Sequence, residues 1–287
     1  MEGELWKEIH SAVRALGKGR GPRRHTYTDA DIALVFLWAV LHERPMTWAL
    51  DPRHWRSEHR RPRLPSTSTL SERLRTAGVQ HLLRQIEARW RPAAGPGRPA
   101  FWIDAKPLPI GGCSGDREAH AGWCAGGMGR GYKLYAIAEK TRGLLYWVVR
   151  PMNVNETKVA PELIERLEGP GYLVGDREYD VGRLHDVAAA RGLQLVASRQ
   201  RLGRKLGHRP HSPYRRKGLA LLERPLGRPL IHDRYGIDRF FEELISGAGG
   251  LAPLPAWVRG LRRVENWVRG KTINFHLKRW FRLAAAA

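Results

Sequence analysis

The stretch Tyr132–Val149, YKLYAIAEKTRGLLYWVV, consists of two apolar runs rich in aromatic and β-branched residues on either side of the polar segment Glu139–Gly143. Tyr132–Ala138 and Leu144–Val149 therefore predict two strands, and EKTRG predicts the hairpin connection between them. Upstream, Phe101–Ala105 (FWIDA) predicts a short buried strand that ends in an acid. Downstream, Glu156–Leu167 has helical period, with Val159, Leu163, Ile164 and Leu167 on the buried stripe. Tyr172–Val174 then predicts a strand leading into Gly175 and Asp176, Val181–Arg191 a helix, and Leu193–Ala197 another strand. Strand, hairpin, helix, strand, helix, strand is the order of a mixed α/β sheet flanked by helices.

Outside this block the pattern changes. Leu5–Leu16 places Leu5, Ile9, Val13 and Leu16 on one helical face and stops at Gly17, before a glycine-rich basic linker, Gly17–Arg24. Thr28 is positioned to cap a helix whose run Ile32–Leu41 is dense enough to be buried. Ser66 opens a capped helix continuing to Trp90, with a break expected near Gly78. A short helix, a turn and a capped basic helix fit a helix-turn-helix, and equally a plain helical bundle. Arg91–Pro99 (RPAAGPGRP) tolerates neither helix nor interior strand, which sets a boundary near residue 95. Residues 1–95 are thus expected to form a helical, DNA-binding region, and residues 96–287 the α/β domain. Within the latter, Arg199–Leu230 reads as a basic loop without periodicity. Arg234–Ile245 reads as a helix with Ile237, Phe241 and Leu244 on one side, and Trp257–Phe281 as a basic amphipathic segment.

Composition narrows the function. In 287 residues, 50 Lys and Arg oppose 28 Asp and Glu, for a formal charge of +22 at neutral pH. Such a field selects a polyanion, most simply nucleic acid. The apolar run Ile32–Leu41 is far shorter than the roughly 20 residues a membrane span needs. The acidic, amphipathic start MEGELWKEIH does not resemble a secretory signal. The two cysteines, Cys113 and Cys124, with His120 between them, make neither a disulfide scaffold nor a complete zinc ligand set.

In so basic a chain the carboxylates are the informative minority. Asp104 ends an apolar strand, where a charge is costly unless satisfied, and Asp176 follows another strand after Gly175. Sites in α/β sheets collect at the carboxyl ends of strands, so adjacent parallel strands would bring these two acids together. Oxygen donors so placed favour Mg²⁺ or Mn²⁺, most simply two ions. Asp238 on the Arg234–Ile245 helix is the natural third ligand, with Glu242 one turn further on. Two ions held this way activate a water or a 3′-hydroxyl for in-line phosphoryl transfer. Structural uses compete with each assignment: a tight-turn acceptor for Asp104, a loop brace in REYD for Asp176, a solvated helix carboxylate for Asp238.

FWIDAK around Asp104, YLVGDREYD around Asp176 and RYGIDRFFEEL around Asp238, in that order, resemble the catalytic domain of bacterial insertion-sequence DDE transposases. The segment Gly129–Ile164 is similar to that family's second and third strands and following helix. The resemblance implies an RNase H-like fold, metal binding by Asp104 and Asp176, and metal-dependent cleavage and strand transfer at insertion-sequence ends. It also implies duplex DNA as partner, a homodimer pairing two ends, and work at the bacterial nucleoid in the cytoplasm, with no membrane role. Lys106, Lys133, Arg177 and Arg234 are candidate phosphate contacts. Trp123 and Tyr179 are candidate base contacts, with structural roles as the competing reading.

The third acid departs from the family pattern. Asp238 follows Arg234 at the family's spacing but replaces its usual Glu, and the position of the family's Lys is Ile245. Three outcomes fit this departure: Asp238 serves as ligand, Glu242 reaches in instead, or the chain binds DNA without cutting it. An RNase H-like nuclease is a further alternative.

Overall fold

The computed structural model describes residues 2–18, 26–55, 61–93, 95, 98–124, 126–199, 211–247 and 249–286. They fall into two compact units. The first comprises Met1–Arg91, Ala248–Leu251 and Asn266–Ala287, the second Pro92–Gly247 and Ala252–Glu265. The C-terminal segment, read from sequence as part of the α/β domain, therefore groups with the N-terminal helices from Asn266 onward. Most of the basic linker Gly17–Arg24 and residues 200–210 of the basic loop lie outside the described residues.

The first unit is helical: α1 Glu2–Leu16, α2 Asp29–Leu41, α3 Met46–Ala49, α4 Thr67–Arg73 and α5 Ala77–Arg89. Thr28 caps α2 as expected. Its hydroxyl accepts from the Asp31 amide while the Asp31 carboxylate accepts from the Thr28 amide, a reciprocal capping box. Nearly every residue of α2 is buried, because α1, α3 and α5 all pack against it. The break after the Ser66-capped helix falls at residues 74–76, where Thr76 begins α5, rather than at Gly78. Two buried carboxylates are neutralised by fixed arginines: Asp29 by Arg73 at 2.6 Å, and Glu87 by Arg91 at 3.0 Å and Arg269 at 2.6 Å. Four tryptophans form one cluster here. Trp38 stacks on Trp55 with centroids 4.8 Å apart, meets Trp6 edge-on at 4.7 Å, and stacks on Trp48 at 6.3 Å.

The last helix, α11 (Leu261–Ala286), begins after Gly260, so Trp257 precedes it. It is not the one-sided amphipathic helix expected. All residues from Gly270 to Leu277 are buried, polar Lys271, Thr272, Asn274 and His276 among them. No described helix is long and apolar enough to cross a membrane.

The second unit is a mixed sheet flanked by helices. Its strands are β1 Ala100–Pro109, β2 His120–Cys124, β3 Gly127–Glu139, β4 Gly143–Pro151, β5 Gly171–Gly175 and β6 Leu193–Ala197. Its helices are α6 Glu156–Ile164, α7 Gly182–Ala190, α8 Pro213–Leu222, α9 Gly227–Asp233 and α10 Tyr235–Ile245. The path through the sheet is β2-β3-β1-β5-β6, with β4 also on β3. β3 pairs antiparallel with β1 and β4, whereas β1, β5 and β6 run parallel. The hairpin read at residues 132–149 is present. Its strands reach further than the apolar runs, and the glycine-rich β2 hairpin was not foreseen. α8 and α9 correct the expectation of an aperiodic loop through Leu230.

Side chains alternate across β1. Phe101 and Ile103 face a core with Ile137, Val159, Leu163, Leu173, Leu184 and Leu195. Trp102 points to the opposite face, where α10 packs on β1 and β3. Gly236 makes that approach possible: a Cβ there would stand 2.7 Å from Trp102 Cζ2 and Cζ3. Gly236→Ala is expected to lift α10 from the sheet and to cost about 1–3 kcal/mol of stability, read as a lower urea midpoint. An unchanged midpoint would show that the indole simply swings aside.

Candidate carboxylate site at the end of the parallel strands

Asp104 stands in the middle of β1, not at a strand end as the sequence suggested. β1 continues because β3 pairs with it as far as Pro109, while β5 pairs with it only at Ala100–Trp102. Trp102 is level with Val174, and the same register continued by two residues sets Asp104 beside Asp176. The pair therefore stands where the parallel part of the sheet stops, Asp104 within β1 and Asp176 just past the end of β5. Asp176 leaves β5 and caps the 3₁₀ turn Arg177–Tyr179, its carboxylate accepting from the Glu178 amide at 2.8 Å. Asp104 accepts from the Ala105 amide at 2.8 Å. Both aspartates thus also make the local bonds that their structural readings require.

Charge couples the members of the cluster to one another. Burial raises the Asp104 carboxyl to about 7; the Ala105 amide opposes this, while Glu156, Asp176 and Asp238 each add repulsion in the same direction. Asp238, half-buried on α10, is thus close enough to Asp104 to act on it, whereas Glu242 is exposed. Arg234, just before α10, brings Nη1 to 3.8 Å from Asp104 Oδ2. That is too far for a hydrogen bond, and the Asp104 carboxyl is raised despite it.

Glu156, the first residue of α6, is the member that sequence reasoning missed. Burial raises its carboxyl, Lys133 at 3.3 Å and a hydrogen bond from Tyr179 lower it, and Asp176 raises it again. Its only sequence signal was an acid in a first helical turn, which the helix dipole favours in any protein. Tyr179 is wholly buried beneath the cluster, and burial followed by the charges of Glu156 and Asp104 drives its phenol well above the usual range. This removes it as a base contact.

The cationic candidates separate. Lys133 is taken by Glu156, Arg234 lies beside Asp104, and Arg177 is largely exposed, 3.9 Å from Glu178. Lys106 sits two residues beyond Asp104 on the same strand face, opposite Leu134. Trp123 is exposed on β2 across from exposed Met128. Cys113 and Cys124 are free thiols.

Behind Asp176 the turn is clamped. The Asp180 carboxylate is fully buried and receives a bidentate pair from Arg215 of α8, Nε and Nη2 both at 2.7 Å. His185 Nε2 lies 3.5 Å from the same carboxylate. Burial opposes ionisation, but the Arg215 and His185 hydrogen bonds outweigh it and hold Asp180 at about 2.

The donors fit a hard cation in kind, since all are carboxylate oxygens. Among the described residues, however, no three His, Cys, Asp or Glu side chains converge closely enough to hold a metal ion.

A family model described as Transposase DDE domain matches residues 95–252, slightly more than half of the chain. No curated protein and no solved structure matches it. The matched segment includes β1 to β6 and α6 to α10, and hence all four carboxylates. The mixed sheet flanked by helices is consistent with the RNase H-like superfamily at this level.

Proposed function

The chain belongs to the transposase DDE domain family, and from that premise we propose that it is a DNA transposase, cutting and joining strands at insertion-sequence ends by metal-dependent phosphoryl transfer. The observation that supports this reading is the charge coupling of Asp104 to Asp176 and to Asp238 of α10, two residues beyond the last β1/β5 pair, Trp102 with Val174. Mutually repelling carboxylates in a chain of charge +22 are a costly arrangement unless a cation is their intended partner. Asp104, Asp176 and Asp238 would hold Mg²⁺ or Mn²⁺. Two such ions, when bound, supply an activated water or 3′-hydroxyl and a steadied leaving oxygen.

The remaining residues set the charge state of the site. Lys133 and Tyr179 keep Glu156 from adding its full repulsion, and Arg234 supplies a cation beside Asp104 for a phosphate. The Asp180–Arg215 clamp fixes the turn from which Asp176 projects. DNA is the partner, bound by two copies of the chain when two ends are paired.

Asp238→Asn is expected to cut Mg²⁺-dependent nicking of terminal-repeat DNA about a hundredfold or more, and Glu242→Gln by less than threefold. The reverse order would make Glu242 the third acid. A second reading, DNA binding without cutting, draws on the lack of three converging donors among the described residues. It predicts no nicking by the unmodified chain in Mg²⁺ or Mn²⁺.

A further inference from the structure

A cavity of about 400 Å³ opens at the amino ends of β5 and β6, the end of these strands away from Asp176. Arg98, Lys217 and Arg224 line it together with Tyr172, Tyr214 and Gln194, and no carboxylate does. None of these three cations has an ion pair among the described residues. The surrounding chain carries no acid between Asp186 and Glu223.

The cavity is a consequence of how α8 is seated. Gly218 lets α8 lie close against edge strand β6; a Cβ there would press on the Leu195 carbonyl and stand 3.1 Å from Gln194 Nε2. Gln194 Nε2 donates to the Leu195 carbonyl at 2.9 Å and to the Tyr214 carbonyl at 3.2 Å, tying the first turn of α8 to the strand. Tyr214 and Lys217 are thereby held at the rim, both exposed. Measured along β5, the cavity lies about 13 Å from Asp176, too far for a group within it to reach the carboxylates. Its task is binding.

We propose that this cavity holds one nucleotide of a single DNA strand, its phosphate between Lys217, Arg224 and Arg98 and its base against Tyr214 or Tyr172. Three cations lining one cavity with no carboxylate among the lining residues select a phosphate, and an exposed tyrosine face beside them adds stacking. The volume is at the small end of ligand sites and suits one nucleotide unit rather than a duplex. The proposal rests on the nucleic-acid reading above and adds to it a second contact point, for a strand separated from its complement.

The test measures binding of the full chain to a fluorescein-labelled 20-mer, single-stranded or as a duplex, across salt concentrations. Lys217→Gln/Arg224→Gln is expected to weaken single-strand binding ten- to a hundredfold at low salt and to flatten its log–log salt slope by about 2, with duplex binding changed less than threefold. Tyr214→Ala is expected to weaken single-strand binding about tenfold with no change in slope. Both substitutions are at exposed positions, and an unchanged thermal midpoint shows that folding is intact. Equal losses for single strand and duplex would reduce the site to part of a general positive field and overturn the proposal. Unchanged single-strand affinity overturns it outright. Displacement of the 20-mer by adenosine monophosphate at equal nucleotide concentration would reassign the cavity to free nucleotides and overturn the strand assignment. Failure of the unmodified chain to bind either DNA would remove both this proposal and the nucleic-acid reading, an outcome distinct from the others.

Discussion

Asp104→Asn is expected to abolish Mg²⁺-dependent DNA nicking, a loss of a hundred- to a thousandfold or more, while DNA affinity stays within about twofold. The same substitution is expected to make the metal-free protein more stable at pH 8. The Asp104 carboxyl is held at about 7, above its ordinary 3.8, by burial and by Glu156, Asp176 and Asp238. Between those two values the folded chain binds more protons than the unfolded one. Stability therefore falls as pH rises from about 4 through 7, and the penalty is fully present above 7. Asn carries no charge to repel, so the variant is expected to gain up to about 4 kcal/mol at pH 8 and nothing at pH 4. Mg²⁺ or Mn²⁺ should raise the melting temperature of the unmodified chain at pH 8 and leave that of the variant nearly unmoved. Lost nicking with a lower melting temperature at every pH would instead mark Asp104 as a structural residue.

The second large effect concerns stability. Arg215→Ala leaves the Asp180 carboxylate fully buried with only His185 beside it. Removing one partner of such a pair costs about 3–5 kcal/mol, which for the second unit lowers the melting temperature by roughly 10 °C. Asp180→Asn/Arg215→Ala, which leaves no buried charge, should recover part of the loss, and Arg215→Lys should fail because one ammonium cannot make the bidentate bond. The pH signature has a definite sign. A carboxyl held near 2 contributes stability that is full above about pH 4 and disappears as pH falls towards 2. Arg215→Ala should therefore be much less stable than the unmodified chain at pH 7 and nearly equal to it at pH 2. A constant difference across that range would deny the pair its role.

The parts of this architecture that were legible in the sequence are those whose burial is carried by large apolar side chains. FWIDA, YKLYAIA, LLYWVV and YLV announced their strands because each lies in a sheet covered on both faces. Helix α8 was illegible because its one buried residue is Gly218, and a helix seated through a glycine shows no apolar period. β1 runs on past the apolar FWIDA through Pro107 and Pro109. They are tolerated because only β3 pairs with β1 there, which leaves its other edge free. In the site, Asp104, Asp176 and Asp238 stood out by position and by family resemblance, whereas the half-buried setting of Asp238 and the exposure of Glu242 follow from how α10 packs, Gly236 lying against Trp102, which no residue spacing displays. Glu156 was hidden because its partners, Lys133 and Tyr179, are distant in sequence.

The tryptophan cluster of the first unit has an optical consequence. Indoles 4.7–5.6 Å apart at fixed angles, as Trp6, Trp38 and Trp55 are, couple their transitions and give a near-ultraviolet dichroism that vanishes when the rings separate. The second unit's Trp102, Trp123 and Trp147 have no place in that cluster. Near-ultraviolet dichroism thus follows the melting of the N-terminal helices, while far-ultraviolet dichroism follows the whole chain. The protein carries its own two-channel readout, in which Arg215→Ala should lower the far-ultraviolet transition.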